Sequence, residues 1–310
     1  LIENDQFEIV AVNDIMAPEN LAYLLKYDSI YGAFKPEIII EESALVVDGK
    51  KIMALRSSDP ETLPWKELNV DVVLECSGKF TDQASAEKHL HTKSKKVLLS
   101  TTGADDIPLL LYGFNQNGSI SGLNILSPGG CMTNYSVHIL YVLYSLGIQS
   151  AHINILHSYT SRQELVDAPH AQFRRGRAAA ESIIPVDIDL HKSLNRLMPG
   201  LRDKIATSST RIPVANGAMA NFSVQLLSET SVGQVNDLFK KAALTEYRGI
   251  MDYTQDPIVS LDIKSNTNSC IIDGTQTSGI ENHLRVVAWF DIEFGFTSRM
   301  INWLNYLKNL

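Results

Sequence analysis

The chain is poor in the features that would commit it to a membrane, to secretion or to nucleic acid. No apolar run reaches the roughly 18 residues that a membrane span needs, and no signal-peptide pattern opens the chain. Cysteine is scarce. Cys76, Cys131 and Cys270 are far apart and odd in number, which argues against a disulfide framework or a zinc cluster and for a reducing compartment. Basic charge is scarce too: 27 Lys and Arg stand against 35 Asp and Glu, a net charge of −8 with no basic concentration, so nucleic acid is not an expected partner. Repeats and low-complexity tracts are lacking. What remains reads as a soluble cytoplasmic protein whose 310 residues, 45% hydrophobic, are enough for two packed domains.

The pattern changes near residue 130. Before it, "FEIVAVND" (7–14) reads as a strand, "PENLAYLLKYD" (18–28) as a helix, and "VDVVLECSG" (70–78) as a buried strand. A helix over 82–91 and a strand at "KKVLLS" (95–100) continue the alternation, which implies a parallel sheet covered on both faces. Glu37 to Ser58 reads as an inserted hairpin turned at "DGKK". After a helix over 132–146 the strands lengthen and helices thin out, through "SAHINILHSY", "MANFSVQLLS", "SCIID" and "LRVVAWFD". A second, α+β domain with a mixed or antiparallel sheet is expected over 131–295, following an α/β domain over 1–130. The closing "SRMINWLNYLKNL" (298–310) reads as an amphipathic helix.

The stretch "SPGGCMTN" (127–134) carries the first chemical signal. Cys131 follows two glycines and meets the first turn of an apolar helix, where unpaired N–H groups and the helix dipole stabilise a thiolate. The same place suits a small apolar residue packed at a helix start. Asp14 ends a strand, where an acidic side chain can accept hydrogen bonds from the adenosine ribose of NAD and repel the extra phosphate of NADP. The glycine-rich partner of such an Asp is expected about 20 residues upstream, before Leu1, and "LIEND" reads as the tail of a helix. His157 shares a strand face with Ile153 and Ile155 and ends the strand, so it could serve Cys131 as a base or simply pack. The long segment 160–185 then brings Arg162, Arg174, Arg175 and Arg177, suited to phosphate or to a solvated subunit interface. Arg211, at a probable strand end in "STRIPVANG", could add another.

Taken together, "VAVND", "LLKYD", "ECSGKF", the Cys-x-Thr-Asn turn, His157, the Arg-rich loop, "RIP" and "WFDIEFG" resemble the glyceraldehyde-3-phosphate dehydrogenase family over nearly the whole chain. Within it, "LPWKELNVDVVLECSG", "VDAPHAQFRRGRAA", "SIIPVD" and "IIDGTQT" look more like the D-erythrose-4-phosphate dehydrogenase branch. The resemblance implies a Rossmann domain for NAD, a catalytic domain, a final helix (296–310) returning to the first domain, and a homotetramer. It makes Cys131 the nucleophile and His157 the base. Asp14, Ser77, Gly78, Phe80, Ser100 and Ile292 fall at cofactor positions. Thr160 and Arg211 fall at the substrate phosphate, while Thr133 and Arg175 lie nearer a second anion site.

Three places depart from the family pattern. Gly130 and Met132 flank the nucleophile where the family has Ser and Thr, and Ile188 stands where a phosphate-binding Thr is usual. Ile292 replaces an Asn whose amide fixes the nicotinamide carboxamide. The expected function is NAD-dependent oxidation of a phosphorylated sugar aldehyde, D-erythrose 4-phosphate to 4-phosphoerythronate, through a cysteine thiohemiacetal and thioester. The alternatives are a phosphorylating glyceraldehyde-3-phosphate dehydrogenase, or a catalytically weak member with a binding or structural role.

Overall fold

A computed structural model describes residues 1–117, 120 and 122–309. The chain forms two compact units: Leu1–Pro108 with Asn117–Ser127, and Leu109–Gln116 with Pro128–Leu310. The main boundary falls between Ser127 and Pro128. The excursion Leu109–Gln116 is new. Leu109 and Leu111 are buried in the second unit's core, and the side chains of Asn115 and Gln116 accept the N–H groups of Leu111 and Gly113, closing the segment on itself.

The first unit holds the parallel sheet that the alternation implies. Val72–Glu75, Lys96–Leu99 and Ile125–Leu126 pair in parallel. Val97, Leu98 and Leu99 are fully buried in succession, as expected of a strand covered on both faces. Helix Gln83–His91 connects the first two strands. It starts where Asp82 caps it: the carboxylate accepts the Ser85 N–H at 2.9 Å. A second sheet begins with Ala11–Asn13, parallel to Lys50–Leu55. Residues 37–58 are a three-stranded antiparallel meander rather than one hairpin. One turn lies at Asp48–Gly49, and a second at Glu42, which takes a left-handed φ of 49° without a glycine to announce it. Leu1 to Phe7 makes two turns closed by Asn4 N–H to Leu1 O and Phe7 N–H to Asn4 O, not a helix tail.

The second unit is built on an eight-stranded mixed sheet. Its order is Ile184–Val186, Ile205–Ile212, Ile148–Ser158, Ala218–Leu226, His283–Phe290, Cys270–Asp273 and Met251–Thr254, with Ser278–Ile280 pairing beside His283–Phe290. Ile148–Ser158 and Ile205–Ile212 run parallel, a pairing that needs a crossover, and helix Leu190–Leu197 lies within it. Alternate residues of Ala218–Leu226 are buried, so one sheet face carries the core. Helix Cys131–Tyr144 packs in that core. Every residue from Thr133 to Leu140 is buried, the mark of an interior helix rather than a surface one. The final helix, Phe294–Lys308, groups with this unit and packs on Cys131–Tyr144. Arg299 donates through Nη2 to the carbonyls of Gly249 and Thr267. No helix among the described residues is long and apolar enough to cross a membrane.

Candidate active site

Cys131 is the first residue of its helix, and Gly130 is the cap, with extended backbone and no capping side chain. Gly129 holds φ at 79°, a conformation that favours glycine, and Thr133 and Asn134 pack under it. Asn134 secures this turn. Its Nδ2 donates to Pro128 O at 2.8 Å and to Gly130 O at 2.9 Å, and the residue is 1% exposed. In the sequence this role leaves one signal, an Asn three residues after a cysteine that follows two glycines.

His157 ends strand Ile148–Ser158 with its side chain buried, on the face shared with Ile153 and Ile155. Its Nδ1 lies 2.7 Å from Ser158 O. A carbonyl only accepts, so Nδ1 carries the proton and Nε2 is the free base. Arg211 is the neighbouring residue on the parallel strand and donates from Nη1 to the same carbonyl at 3.1 Å. Phe290 touches both the helix of Cys131 and the strand end of His157. It stacks on Tyr135, one helical turn beyond Cys131, with ring centroids 3.9 Å apart, and meets the His157 ring edge-on at 6.4 Å.

The charges of the site set its resting protonation. Burial, Arg211 and Arg175 together push His157 down to about 4, against the Ser158 hydrogen bond. Burial pushes the Cys131 thiol up, opposed by the Met132 N–H, the Arg211 charge and the residue's own N–H. The expectation of a thiolate poised by the helix dipole is therefore corrected. Desolvation outweighs the dipole, and the resting pair is a neutral thiol with a neutral imidazole.

Arg162, Arg175 and Arg211 gather close enough to depress one another. Burial is the leading cause at Arg175 and Arg211, followed by repulsion from Arg162 at the first and from Arg175 at the second. Each of these two retains a buried nitrogen with no partner: Nη1 of Arg175 and Nε of Arg211. The long loop aims Arg175 through Gln163, whose Nε2 donates to the carbonyls of Arg175 and Arg177 at 2.8 Å each, and through Gln172, which accepts from Arg175 Nε. Repelling cations with unused donors form an anion site. Thr160 begins the loop, partly exposed, and its hydroxyl accepts the Arg162 N–H at 3.4 Å. Thr133 is buried beneath the Gly129 turn. Met132, Ile188 and Ile292 are partly buried and pack on the second unit's core. A cleft of about 710 Å³, lined by residues such as His152, Gln225 and Arg285, contains none of the expected site residues.

In the first unit, the expected cofactor residues follow the carboxyl ends of parallel strands: Asp14 after Ala11–Asn13, Ser77 and Gly78 after Val72–Glu75, and Ser100 after Lys96–Leu99. Dinucleotides bind at such ends. Asp14 Oδ1 accepts the Met16 N–H at 2.9 Å, and Oδ2 has no partner among the described residues, which fits an acceptor for ribose hydroxyls. Gly78 turns with φ at 69°, and Ser77 is exposed. Phe80 sits edge-on to buried His89 at 5.9 Å.

Comparison with known proteins gives two family matches: the glyceraldehyde 3-phosphate dehydrogenase NAD-binding domain over residues 1–83 and its C-terminal domain over residues 130–292. Glyceraldehyde-3-phosphate dehydrogenase 2 of Bacillus subtilis is 36% identical, over 98% of this chain and 90% of that protein. The glyceraldehyde-3-phosphate dehydrogenase of Borreliella burgdorferi is 38% identical, over 95% and 91%. Glyceraldehyde-3-phosphate dehydrogenase 2 of Streptomyces avermitilis is 37% identical, over 100% and 93%.

Proposed function

The chain belongs to the glyceraldehyde-3-phosphate dehydrogenase family of NAD-dependent oxidoreductases, and from that premise we propose that it oxidises D-erythrose 4-phosphate to 4-phosphoerythronate. The observation that carries a phosphorylated aldehyde as substrate is the arginine group with its two unpartnered buried nitrogens, of which Arg211 acts on both Cys131 and His157.

As Cys131 Sγ attacks the aldehyde carbon, Nε2 of His157 takes the thiol proton. The thiohemiacetal oxyanion forms beside the Cys131 N–H, which has no carbonyl partner within the helix, and the new imidazolium N–H. Arg211 and Thr160 hold the substrate phosphate. Bound NAD supplies the acceptor for the hydride that leaves the former aldehyde carbon. The product on the protein is a thioester at Cys131. His157 releases the thiol proton to solvent, then removes a proton from the water that opens the thioester and returns it to the Cys131 sulfur as the acid departs.

Water rather than phosphate is favoured by the residues at the positions where the family binds a second anion. Gly130, Met132 and Ile188 offer no hydroxyl where a second anion would bind, leaving Arg175 and the buried Thr133. Each lost hydrogen bond to a charged group is worth roughly 1.5–3 kcal/mol, so losing two weakens phosphate by about a hundredfold or more. The competing reading, phosphorylation of glyceraldehyde 3-phosphate, is favoured by the names of the relatives above. NADH formation from each sugar phosphate, with and without inorganic phosphate and with the product identified, separates the two. Turnover that requires phosphate and yields an acyl phosphate contradicts the hydrolytic reading, and no turnover leaves a binding role. The proposal includes a cytoplasmic homotetramer. Supporting it, Val166, Phe173 and Ile183 on the long loop stand 73%, 90% and 73% exposed, apolar area that a neighbouring subunit would cover.

A further inference from the structure

Beneath the turn that follows strand Val72–Glu75 runs a chain of buried polar groups whose proton positions follow from their chemistry. Trp65 Nε1 can only donate, and it lies 3.1 Å from Nδ1 of His89. That nitrogen is therefore the acceptor and carries no proton. The ring proton sits on Nε2, 2.9 Å from Glu75 Oε2. The other oxygen of Glu75 accepts both the N–H and the hydroxyl of Ser77, and Ser77 Oγ in turn accepts the Lys79 N–H at 3.1 Å. Every donor points the same way, toward the carboxylate. Trp65, His89 and Glu75 are nearly inaccessible to water, so only these three donors offset a buried negative charge.

The chain is also packed in place. The His89 ring stacks near-parallel on Trp65, with centroids 6.3 Å apart, and Phe80 of the same turn meets its edge. The carbonyl of His89 accepts the hydroxyls of Thr92 and Ser94. Thus the turn from Ser77 to Phe80 is held from below at three points: the Ser77 amide, the Ser77 hydroxyl and the Phe80 ring. We propose that Trp65, His89 and Glu75 are positioning residues for the cofactor, a brace of fixed tautomer that sets the Ser77–Phe80 turn in the shape that receives NAD. This rests on the cofactor reading above. The brace belongs to the first unit and the reacting thiol to the second, and the effect of the brace is on binding geometry.

The test combines calorimetry of NAD binding, amide exchange at Ser77 and Lys79, and nitrogen-15 shifts of the histidine rings. The wild-type protein should show His89 as the Nε2–H tautomer. His89→Leu should weaken NAD by about tenfold and speed exchange at both amides by about as much or more, because Glu75 loses a donor it cannot replace. His89→Gln keeps a donor for Glu75 and should recover most of both losses. Should His89→Leu not fold, Trp65→Phe decides. It keeps the aromatic stack, frees Nδ1, and should give a mixed tautomer with NAD weakened about threefold. Wild-type binding together with unchanged affinity in the folded variants overturns the brace alone, as does an Nδ1–H tautomer in the wild type. Failure of the wild-type protein to bind NAD overturns the cofactor reading, and the proposal with it.

Discussion

Replacing Asn134 by Leu isolates the turn that presents the nucleophile. The swap keeps the volume and removes two donors, to Pro128 O at 2.8 Å and Gly130 O at 2.9 Å. Gly130 O keeps the Asn134 backbone N–H, at 3.1 Å, so only Pro128 O is left without this partner. Two neutral hydrogen bonds contribute about 1 kcal/mol each. Exposing Pro128 O to an apolar neighbour costs about 1–3 kcal/mol, and removing the unpartnered Asn134 Oδ1 returns a similar amount. The net loss is about 2 kcal/mol, which for a unit of this size lowers the melting temperature by roughly 4–8 °C. Function should suffer more than stability. The released turn no longer fixes Cys131, so kcat should fall at least about tenfold. KM for the sugar phosphate should hold, since Arg211 and Thr160 make no hydrogen bond to the turn. Calorimetric melting and steady-state kinetics on the one variant give both quantities. An unchanged melting temperature with unchanged kcat would refute the reasoning, and a change confined to KM would show that the turn serves substrate binding.

Three further outcomes are expected. His138 is pushed down to about 3 and His157 to about 4, both chiefly by burial. The unfolded chain therefore binds more protons below about pH 6.5, and stability is lost as pH falls from there toward 4 for His157 and 3 for His138, by about 2.5 kcal/mol per histidine at pH 4.5. Urea titrations at pH 7 and 4.5 should show that loss, and a smaller one in His138→Leu; equal losses in the two proteins would contradict the burial argument. Alkylation of Cys131 by iodoacetamide should accelerate as pH rises past about 8.5, because the raised thiol yields little thiolate at neutrality; a rate already at its plateau at pH 7 would show a stabilised thiolate instead. Asp14→Asn should narrow the preference for NAD over NADP, measured as the ratio of their dissociation constants, and an unchanged ratio would remove Asp14 from the ribose site.

What could be read in the sequence was local. The buried run Val97–Leu99, the apolar helix after Cys131 and the period-two face carrying His157 all announce themselves through spacing, and the structure places them accordingly. Whatever depends on partners distant in sequence was hidden. The strand at "VDVVLECSG" ends at Glu75, so Cys76, expected in an apolar strand setting beside the likewise read Cys270, is exposed while Cys270 is buried. Glu75 and His89 are 14 residues apart and Trp65 and His89 are 24 apart, and no periodicity links them. The helix position of Cys131 predicts a lowered thiol while burial raises it, because helix position is a local property and desolvation is a tertiary one.

The central claim, that Cys131 forms the covalent intermediate, is tested most directly by trapping it. The protein is mixed with NAD and D-erythrose 4-phosphate, quenched in acid within milliseconds to seconds, digested and mapped by mass. The account predicts the acyl group of 4-phosphoerythronate on the peptide containing Cys131, absent without NAD and absent in Cys131→Ser. NADH produced with no acylated peptide at any time, or an acyl group carried by Cys76, would contradict it.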